Sequence, residues 1–345
     1  MTDDLPLQRT GHPYIMYDML RDSYNGVKST LQIMKKVDMS IFLSPLTITG
    51  NGTALHSGIA GSQILGKKGL QWKSIQAYEL EHFHSAEGTV IGISHTGKTK
   101  STVDAMKKVR KNAVTVGISH FGNTPILKAS AHGIVIGNSP DQSLCNTKAF
   151  FDNAFAMLAI SNHFGSLGLD LDNLAEKFRH VLEKADEPMK KMAQSMGKVD
   201  RIFVLGSGPN FVVAREGAQK IKESTHVHAE GIELEEFNHG CTSVIDDRSL
   251  VIIIDSEEDR PRTKDIVEAC RFTGTRTAVI NGAGDYSYDV PERMDSYIQP
   301  ILNMVPVYYL AYYMALQYGV NPDYLRFEDK RYLDYDNVVF PPGAH

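Results

Sequence analysis

Short apolar runs alternate along this chain with longer stretches in which apolar residues recur every three to four positions. The runs predict buried β-strands, and the recurring spacing predicts amphipathic helices. The predicted strands are residues 46–49, 89–94, 114–119, 133–136, 201–205 and 250–255. The predicted helices are residues 14–36, 54–65, 101–109, 147–162, 173–196 and 303–318. Strands that alternate with helices predict an α/β fold with a parallel sheet covered on both faces.

One pattern of turns and strands occurs twice. Residues 50–53 read Gly-Asn-Gly-Thr, and residues 79–83 read Glu-Leu-Glu-His-Phe before the strand at 89. Residues 206–208 read Gly-Ser-Gly, and residues 233–237 read Glu-Leu-Glu-Glu-Phe before the strand at 250. A repeat of this size predicts two α/β domains built to one plan. We place them at 37–165 and 198–300, with an N-terminal helical segment at 1–36 and a C-terminal helix and tail at 301–345.

The composition disfavours several classes of protein, namely nucleic-acid-binding, disulfide-rich, secreted and membrane-spanning proteins. The chain has 345 residues and a net charge of −5, so no basic face favours a nucleic-acid partner. Its three cysteines have no metal-ligand spacing and do not suggest a disulfide framework. Residues 1–8 are acidic and polar, which is not typical of a signal peptide, and no apolar run approaches the ~20 residues of a membrane span. We therefore expect a cytoplasmic protein.

Three hydroxyl side chains lie where a predicted strand ends and a helix begins. Ser94, Thr96 and Thr99 belong to the segment Ser-His-Thr-Gly-Lys-Thr at the carboxyl edge of the sheet. Ligands bind at this edge in parallel sheets, and a helix N-terminus favours an anion. Helix capping is the simpler interpretation, but capping requires only one such residue. The segment therefore predicts a phosphate site.

The same segment also satisfies the P-loop pattern. Residues 92–99 read Gly-Ile-Ser-His-Thr-Gly-Lys-Thr, and the strand at 250 ends in Asp255, as a magnesium-binding strand does. Two observations disfavour a nucleotide hydrolase. First, the sequence Gly-Ile-Ser-His also occurs at 117–120 without Gly-Lys after it, which indicates that this sequence is the end of a strand in both places. Second, the internal repeat places Asp255 and Lys98 in different domains.

A helix in the second repeat carries titratable groups on one face. Glu216, Lys220 and Glu223 are spaced four and three apart, and the helix follows a glycine-rich turn. A solvated, salt-bridged face is the alternative interpretation. A carboxylate beside a lysine can act as a base. His226 and His228 are expected to face one side of a strand, but no third ligand follows, so we expect no metal.

With these residues in view, the chain resembles the sugar isomerase (SIS) family, in particular the isomerase part of glucosamine-6-phosphate synthase and the glucosamine-6-phosphate deaminases. The likeness covers residues 12–330. Its most specific element is the helix Glu-Gly-Ala-Gln-Lys-Ile-Lys-Glu at 216–223. The other matching segments are 52–56, 94–99, 146–150, 228–230, 239–240 and, loosely, 326–331.

The resemblance implies two flavodoxin-like, parallel-sheet SIS subdomains and an aldose–ketose isomerase or deaminase acting on hexose 6-phosphates. The most concrete reaction is the interconversion of glucosamine 6-phosphate with fructose 6-phosphate and ammonia. It implies that Glu223 moves the proton between C1 and C2 and that Lys220 supports it. His239 would assist ring opening from the partner subunit of a homodimer, and Lys330 would lie over the open-chain sugar. The residues implied to bind phosphate are Gly52, Thr53, Ser94, His95, Thr96 and Thr99. No metal or redox cofactor is implied, because a base and an electrostatic sink suffice.

Three departures from the family pattern affect substrate preference. Ala54 replaces a serine, His95 replaces a glutamine, and Lys98 replaces an acidic residue. No segment resembles the glutaminase domain of the synthases, so we expect that glutamine is not this chain's own nitrogen donor. Two further functions stay open: an isomerase subunit served by a separate glutaminase, and a non-catalytic sugar-phosphate sensor.

Overall fold

The computed structural model describes residues 9–340, so the predicted character of residues 1–8 lies outside the described chain. The helices are α1 Ile15–Met34, α2 Gly52–Ser62, α3 Ile64–Lys67, α4 Ala77–His82, α5 Lys100–Val109, α6 Pro125–Ala129, α7 Lys148–Phe164, α8 Leu171–Met196, α9 Phe211–Thr225, α10 Arg260–Thr273, α11 Gln299–Tyr318 and α12 Lys330–Val339. The strands are β1 Leu46–Gly50, β2 Trp72–Gln76, β3 Thr89–Ile93, β4 Val114–Ser119, β5 His132–Val135, β6 Arg201–Leu205, β7 His228–Ile232, β8 Ser249–Ile254, β9 Arg276–Ile280 and β10 Tyr286–Tyr288.

The described residues divide into two compact units. The first unit comprises residues 19–175 and 327–340, and the second comprises residues 9–18 and 176–326. Each unit contains one five-stranded sheet. The domain boundaries drawn from the sequence stay a prediction.

The first sheet has the strand order β2-β1-β3-β4-β5, and all its pairs are parallel. Leu46 pairs with Trp72 on one side and with Thr89 on the other, so β1 is a central strand. Every residue of β1 and β3 is buried, as expected for strands covered on both faces. This is the flavodoxin-like order, with its switch point between β1 and β3.

The second sheet repeats the first. Its order is β10-β9-β8-β6-β7, which becomes the same 2-1-3-4-5 arrangement when its strands are numbered from β6. All its pairs are parallel, and Leu205 pairs with Ile232 and Ile253. The predicted α/β class, with two flavodoxin-like sheets related by an internal repeat, is confirmed.

Several elements escaped the sequence analysis, among them β2, β9 and α10, and two more are largely exposed. At the edge of the second sheet, β10 adds a strand of three partly or fully exposed residues. The tail contains α12, none of whose residues is buried. A strand or helix shows apolar periodicity in its sequence when one of its faces is buried against a core. Neither β10 nor α12 is buried in this way, so their sequences carry no such pattern.

Apolar residues cover each sheet with a core of its own. The first core includes Val90, Val103 and Met106, and the second includes Phe203, Val251 and Ile266. Helices α9 and α11 approach closely, since a Cβ at Gly217 would lie 2.7 Å from Val307 Cγ1. Within residues 9–340, no helix is long and apolar enough to cross a membrane.

Candidate functional site

The loops that follow β1 and β3 meet at the switch point of the first sheet. Asn51 precedes α2, and its side-chain amide donates to Ser101 Oγ at 2.9 Å and to Thr102 Oγ1 at 3.3 Å in the first turn of α5. This bond ties together the starts of two helices, each with N–H groups that lack partners inside the helix. The switch point therefore gathers donors where a parallel sheet binds anions.

The segment Ser94–Thr99, which we call the phosphate turn, leads from β3 into α5. Ser94 Oγ and Thr99 Oγ1 are 3.0 Å apart, and the Lys98 N–H donates to Thr96 Oγ1 at 3.3 Å. Thr99 makes no side-chain cap hydrogen bond to α5, so capping does not explain its hydroxyl. The structure thus brings together the three hydroxyls that the sequence singled out.

Gly97 is required by the shape of the phosphate turn. Its φ is +67°, and a Cβ there would lie 2.4 Å from Thr124 Oγ1 and 2.8 Å from Ser119 Oγ. Any other residue would be strained and would collide with the neighbouring loop. Thr124 Oγ1 is itself buried without a hydrogen-bond partner.

Two other predicted phosphate ligands lie at the start of α2. Gly52 has a φ of +49°, which favours glycine, and Thr53 is the next residue of the helix. Both follow β1, across the switch point from the phosphate turn. Their position agrees with the predicted arrangement, while their contact with phosphate stays a prediction.

His95 is the partly buried imidazole of the phosphate turn. Its Nε2 accepts the Asp141 N–H at 3.0 Å, and its ring centroid lies 4.8 Å from that of His120. Burial, together with the nearby His120, lowers the pKa of His95 to about 3. The ring is therefore neutral at neutral pH.

Behind His95 lies a buried group of titratable side chains. His120 Nε2 is 3.3 Å from Asp152 Oδ2, and neither side chain is exposed. Burial lowers the pKa of His120 to about 4 and raises the pKa of Asp152 well above its usual value. Nearby, the buried Lys148 ammonium donates to Asp22 at 2.5 Å and to Ser139 Oγ at 2.8 Å. Of this group, the sequence analysis had registered only the segment ending in His120 and the segment containing Lys148.

The raised pKa of Asp152 gives a testable pH dependence. A carboxyl with a raised folded-state pKa stabilises the fold below its unfolded pKa, and this contribution is lost as the pH rises through the folded value. Asp152→Asn removes that ionisation, so the variant should be more stable than the wild type at pH 8. The difference in unfolding free energy should shrink as the pH falls, by about 1.4 kcal/mol per unit at most. Denaturant unfolding at several pH values measures it.

The exposed Asp289 supplies the control, because Asp289→Asn should show a difference that is nearly constant with pH. A gap between Asp152→Asn and the wild type that widens towards acid pH would contradict a raised pKa of Asp152.

The second candidate site is the face of α9. Lys220 Nζ lies 3.6 Å from Glu216 Oε1 and 2.6 Å from Glu223 Oε2, so the three residues share one face as predicted. The side chains of Glu216 and Lys220 are 0% and 1% exposed, whereas Glu223 is 24% exposed. The solvated-face interpretation is therefore wrong.

Both oxygens of the Glu223 carboxylate accept a hydrogen bond. Gln219 Nε2 donates to Oε1 at 2.8 Å and Lys220 Nζ donates to Oε2 at 2.6 Å. The deeper carboxylate, Glu216, accepts the Tyr308 hydroxyl of α11 at 2.9 Å. Lys220 thus lies between a buried carboxylate and one that reaches the surface, which fixes Glu223 in one orientation.

The ion pairs of the other two predicted catalytic residues, His239 and Lys330, are with acidic residues other than Glu223. The His239 side chain is 67% exposed, and its recorded partner is Glu235 at 3.8 Å. Lys330, the first residue of α12 in the first unit, is 81% exposed and pairs with Asp334 at 2.5 Å. Their catalytic roles stay predictions.

One expectation is corrected. His226 and His228 do not share a strand face, because His226 ends α9 with a φ of +60° and only His228 belongs to β7. A left-handed residue at the helix end breaks the alternation that the sequence suggested.

The geometry agrees with the sequence analysis in disfavouring the P-loop alternative. Gly92 lies inside β3, paired with Gly117, instead of opening a phosphate loop. Asp255 belongs to the second unit, whereas Lys98 belongs to the first. The Asp255 carboxylate accepts from Thr263 Oγ1 at 2.6 Å and from Arg260 Nε at 3.0 Å.

Comparisons with known proteins agree with this architecture. Residues 195–318 match the family model described as the SIS domain. The chain is 27% identical over 334 residues to glutamine–fructose-6-phosphate aminotransferase (isomerizing) from Sulfolobus acidocaldarius, covering 91% of this chain and 56% of that protein. The chain spans about half the length of the curated relatives it matches.

Solved structures show the same fold. The C-terminal domain of glucosamine-fructose-6-phosphate aminotransferase from Francisella tularensis superposes with a TM-score of 0.81 at 18% identity, covering 92% of this chain and all of that one. Glucosamine-6-phosphate deaminase from Thermotoga maritima gives a TM-score of 0.77 at 18% identity, covering 90% and 97%. Residues 195–318 therefore match the SIS family model, and the predicted resemblance of the chain to the sugar isomerase family is confirmed.

Proposed function

We propose that the chain is a phosphosugar isomerase or deaminase, and that its reaction interconverts glucosamine 6-phosphate with fructose 6-phosphate and ammonia. The observation that carries the proposal is the α9 face, where buried Lys220 holds the partly exposed carboxylate of Glu223. Aldose–ketose chemistry requires a base that removes a proton from one carbon and returns it to the next. A fixed carboxylate with a lysine against it meets this need.

In this proposal the phosphate turn anchors the substrate. Ser94, Thr96 and Thr99 offer hydroxyl donors, and the start of α5 adds backbone N–H groups and a partial positive charge. The exposed Lys98 adds a cation beside the site. The 6-phosphate is remote from C1 and C2, so an anchor at the phosphate does not occupy the reacting carbons.

The direct test is incubation of the protein with glucosamine 6-phosphate, with fructose 6-phosphate and ammonia measured in parallel. Equal amounts of both products support the deaminase form. The absence of both products, together with aldose–ketose conversion of a different hexose 6-phosphate, supports an isomerase acting on that other sugar. An isomerase subunit served by a separate glutaminase is the form that the synthase relatives favour, and added ammonia with fructose 6-phosphate would then give glucosamine 6-phosphate.

Removal of hydroxyls from the phosphate turn should weaken substrate binding. Thr96→Ala and Thr99→Ala should each raise KM about tenfold or more while kcat changes little, because a hydrogen bond to a charged group contributes about 1.5–3 kcal/mol and binds ground and transition states alike. Steady-state kinetics measures both constants. Thr242→Ala, at an exposed position of the second unit, is the control. A fall in kcat at unchanged KM would refute the anchoring role.

We also propose a homodimer whose active site takes His239 from the partner subunit. The exposed His239 side chain, paired with Glu235 and not with Glu223 of its own chain, supports this arrangement. Inactive Glu223→Gln protein mixed with inactive His239→Ala protein should regain activity after subunit exchange, since one site of each heterodimer then holds both wild-type residues. Each variant exchanged with itself is the control. Proven exchange with no regained activity would exclude a shared site.

A further inference from the structure

The same four-residue sequence occurs at the ends of two neighbouring strands of the first sheet. The sequence Gly-Ile-Ser-His closes β3 at 92–95 and β4 at 117–120, and the strands pair in register, with Gly92 opposite Gly117. The two histidines therefore emerge side by side, and their rings lie 4.8 Å apart at an angle of 55°. One of them, His95, belongs to the phosphate turn, while His120 lies behind it.

The second histidine is held against a carboxyl in a space made by glycines. A Cβ at Gly26 would lie 2.4 Å from Asp152 Oδ1, and a Cβ at Gly137 would lie 3.0 Å from both Asp152 Oδ2 and His120 Cδ2. The chain at Gly26 and at Gly137 thus lies at contact distance from Asp152, and Gly137 also contacts His120. Neither side chain has a well-formed hydrogen bond to another described group, which leaves their mutual contact at 3.3 Å as the dominant polar interaction.

The hydrogen bonds of His95 determine which of its nitrogens carries the proton. Nε2 accepts the Asp141 N–H, so a neutral ring must carry its proton on Nδ1. The charged and titratable groups around this cluster are Asp141, Asp22 and the buried Lys148, which is paired with Asp22. Burial lowers the pKa of His95 to about 3 and that of His120 to about 4, and it raises the pKa of Asp152, so burial disfavours the charged form of each group.

We propose that His120 and Asp152 are positioning residues that pack behind the His95 ring and keep its Nε2 on the Asp141 N–H, so that the phosphate turn offers the Nδ1–H of His95 as a neutral donor to the substrate phosphate. This inference rests on the proposed function. A neutral donor of fixed orientation binds phosphate without gaining or losing a proton itself. Substrate binding through His95 should then follow the ionisation of the phosphate and not that of the histidine.

The kinetic arm uses paired substitutions. Asp152→Asn keeps the shape and the neutral donor and acceptor of a protonated carboxyl, so its KM should stay within about twofold of the wild type. Asp152→Ala and His120→Ala remove the support, so KM should rise about tenfold with kcat nearly unchanged. His132→Ala, at an exposed histidine of β5, is the matched control. An Asn variant as impaired as the Ala variant, or an Ala variant with wild-type KM, would overturn the proposal.

The spectroscopic arm separates positioning from general stability. In protein with ¹⁵N-labelled histidine, the His95 signals, identified by their loss in His95→Gln, should show the Nδ1–H tautomer unchanged from about pH 5.5 to about pH 8. In Asp152→Ala the ring should sample both tautomers and titrate nearer its ordinary pKa. A wild-type His95 that titrates in this range, or carries its proton on Nε2, would overturn the proposal even if the Ala variants fail to fold.

The experiments distinguish a failure of the proposed function from a failure of the positioning role of His120 and Asp152. A wild-type protein that neither binds nor converts any hexose 6-phosphate counts against the proposed function, and the His95 tautomer in the free protein then decides the positioning claim by itself. A protein that turns over hexose 6-phosphates with a titrating His95 keeps its proposed function and loses this inference.

Discussion

Glu223→Gln is expected to abolish turnover of hexose 6-phosphates while leaving the binding of fructose 6-phosphate nearly unchanged. The amide keeps the shape of the carboxylate and can still accept from Lys220, but it cannot take up a proton from carbon. Loss of a general base lowers the rate by about 10²–10⁴-fold. Steady-state kinetics measures the loss, and calorimetric titration with fructose 6-phosphate measures binding.

Glu268→Gln is the control for this prediction, because Glu268 is an exposed carboxylate on α10 in the same unit. It should retain wild-type activity. A Glu223→Gln protein that turns over substrate at the wild-type rate would remove Glu223 from the mechanism.

Lys220→Met is expected to lower the free energy of unfolding by about 3–5 kcal/mol, because it leaves a buried carboxylate without its cation. Glu216 is fully buried and lies 3.6 Å from Lys220 Nζ. Its bond from Tyr308 remains but does not neutralise the charge. Denaturant unfolding of the variant, compared with the wild type, measures the change.

Lys222→Met is the control, since Lys222 is exposed on the same helix and its replacement should change the unfolding free energy by about 0.5 kcal/mol or less. Adding Glu216→Gln to Lys220→Met should restore part of the lost stability, because the neutral amide can still accept from Tyr308. A Lys220→Met protein as stable as the wild type would show that Glu216 is not charged in the fold.

Much of the fold follows from local patterns. The apolar run at 201–205 has the bounds of β6, and the repeated turn and Glu-Leu-Glu segments correspond to two sheets of one topology. The edge strand Tyr286–Tyr288 and the exposed helix α12 could not be predicted, because only an element with a buried face has apolar residues at regular spacing.

The candidate site, too, could be predicted from the sequence only in part. Helical spacing predicted that Glu216, Lys220 and Glu223 share a face, but their burial depends on α11, whose Tyr308 is 92 positions beyond Glu216. The adjacency of His95 and His120 depends on the pairing of β3 with β4. The repeated Gly-Ile-Ser-His segment was visible in the sequence, yet only the register shows that its two copies lie side by side.

The central claim is that this chain moves a proton between adjacent carbons of a hexose 6-phosphate. It is tested most directly by proton NMR of glucosamine 6-phosphate and of fructose 6-phosphate, each incubated with the protein in D₂O. The account predicts deuterium incorporation at C1 or C2 together with interconversion, and the loss of both with Glu223→Gln. A folded protein that binds either sugar phosphate but leaves every carbon-bound proton unexchanged would contradict it.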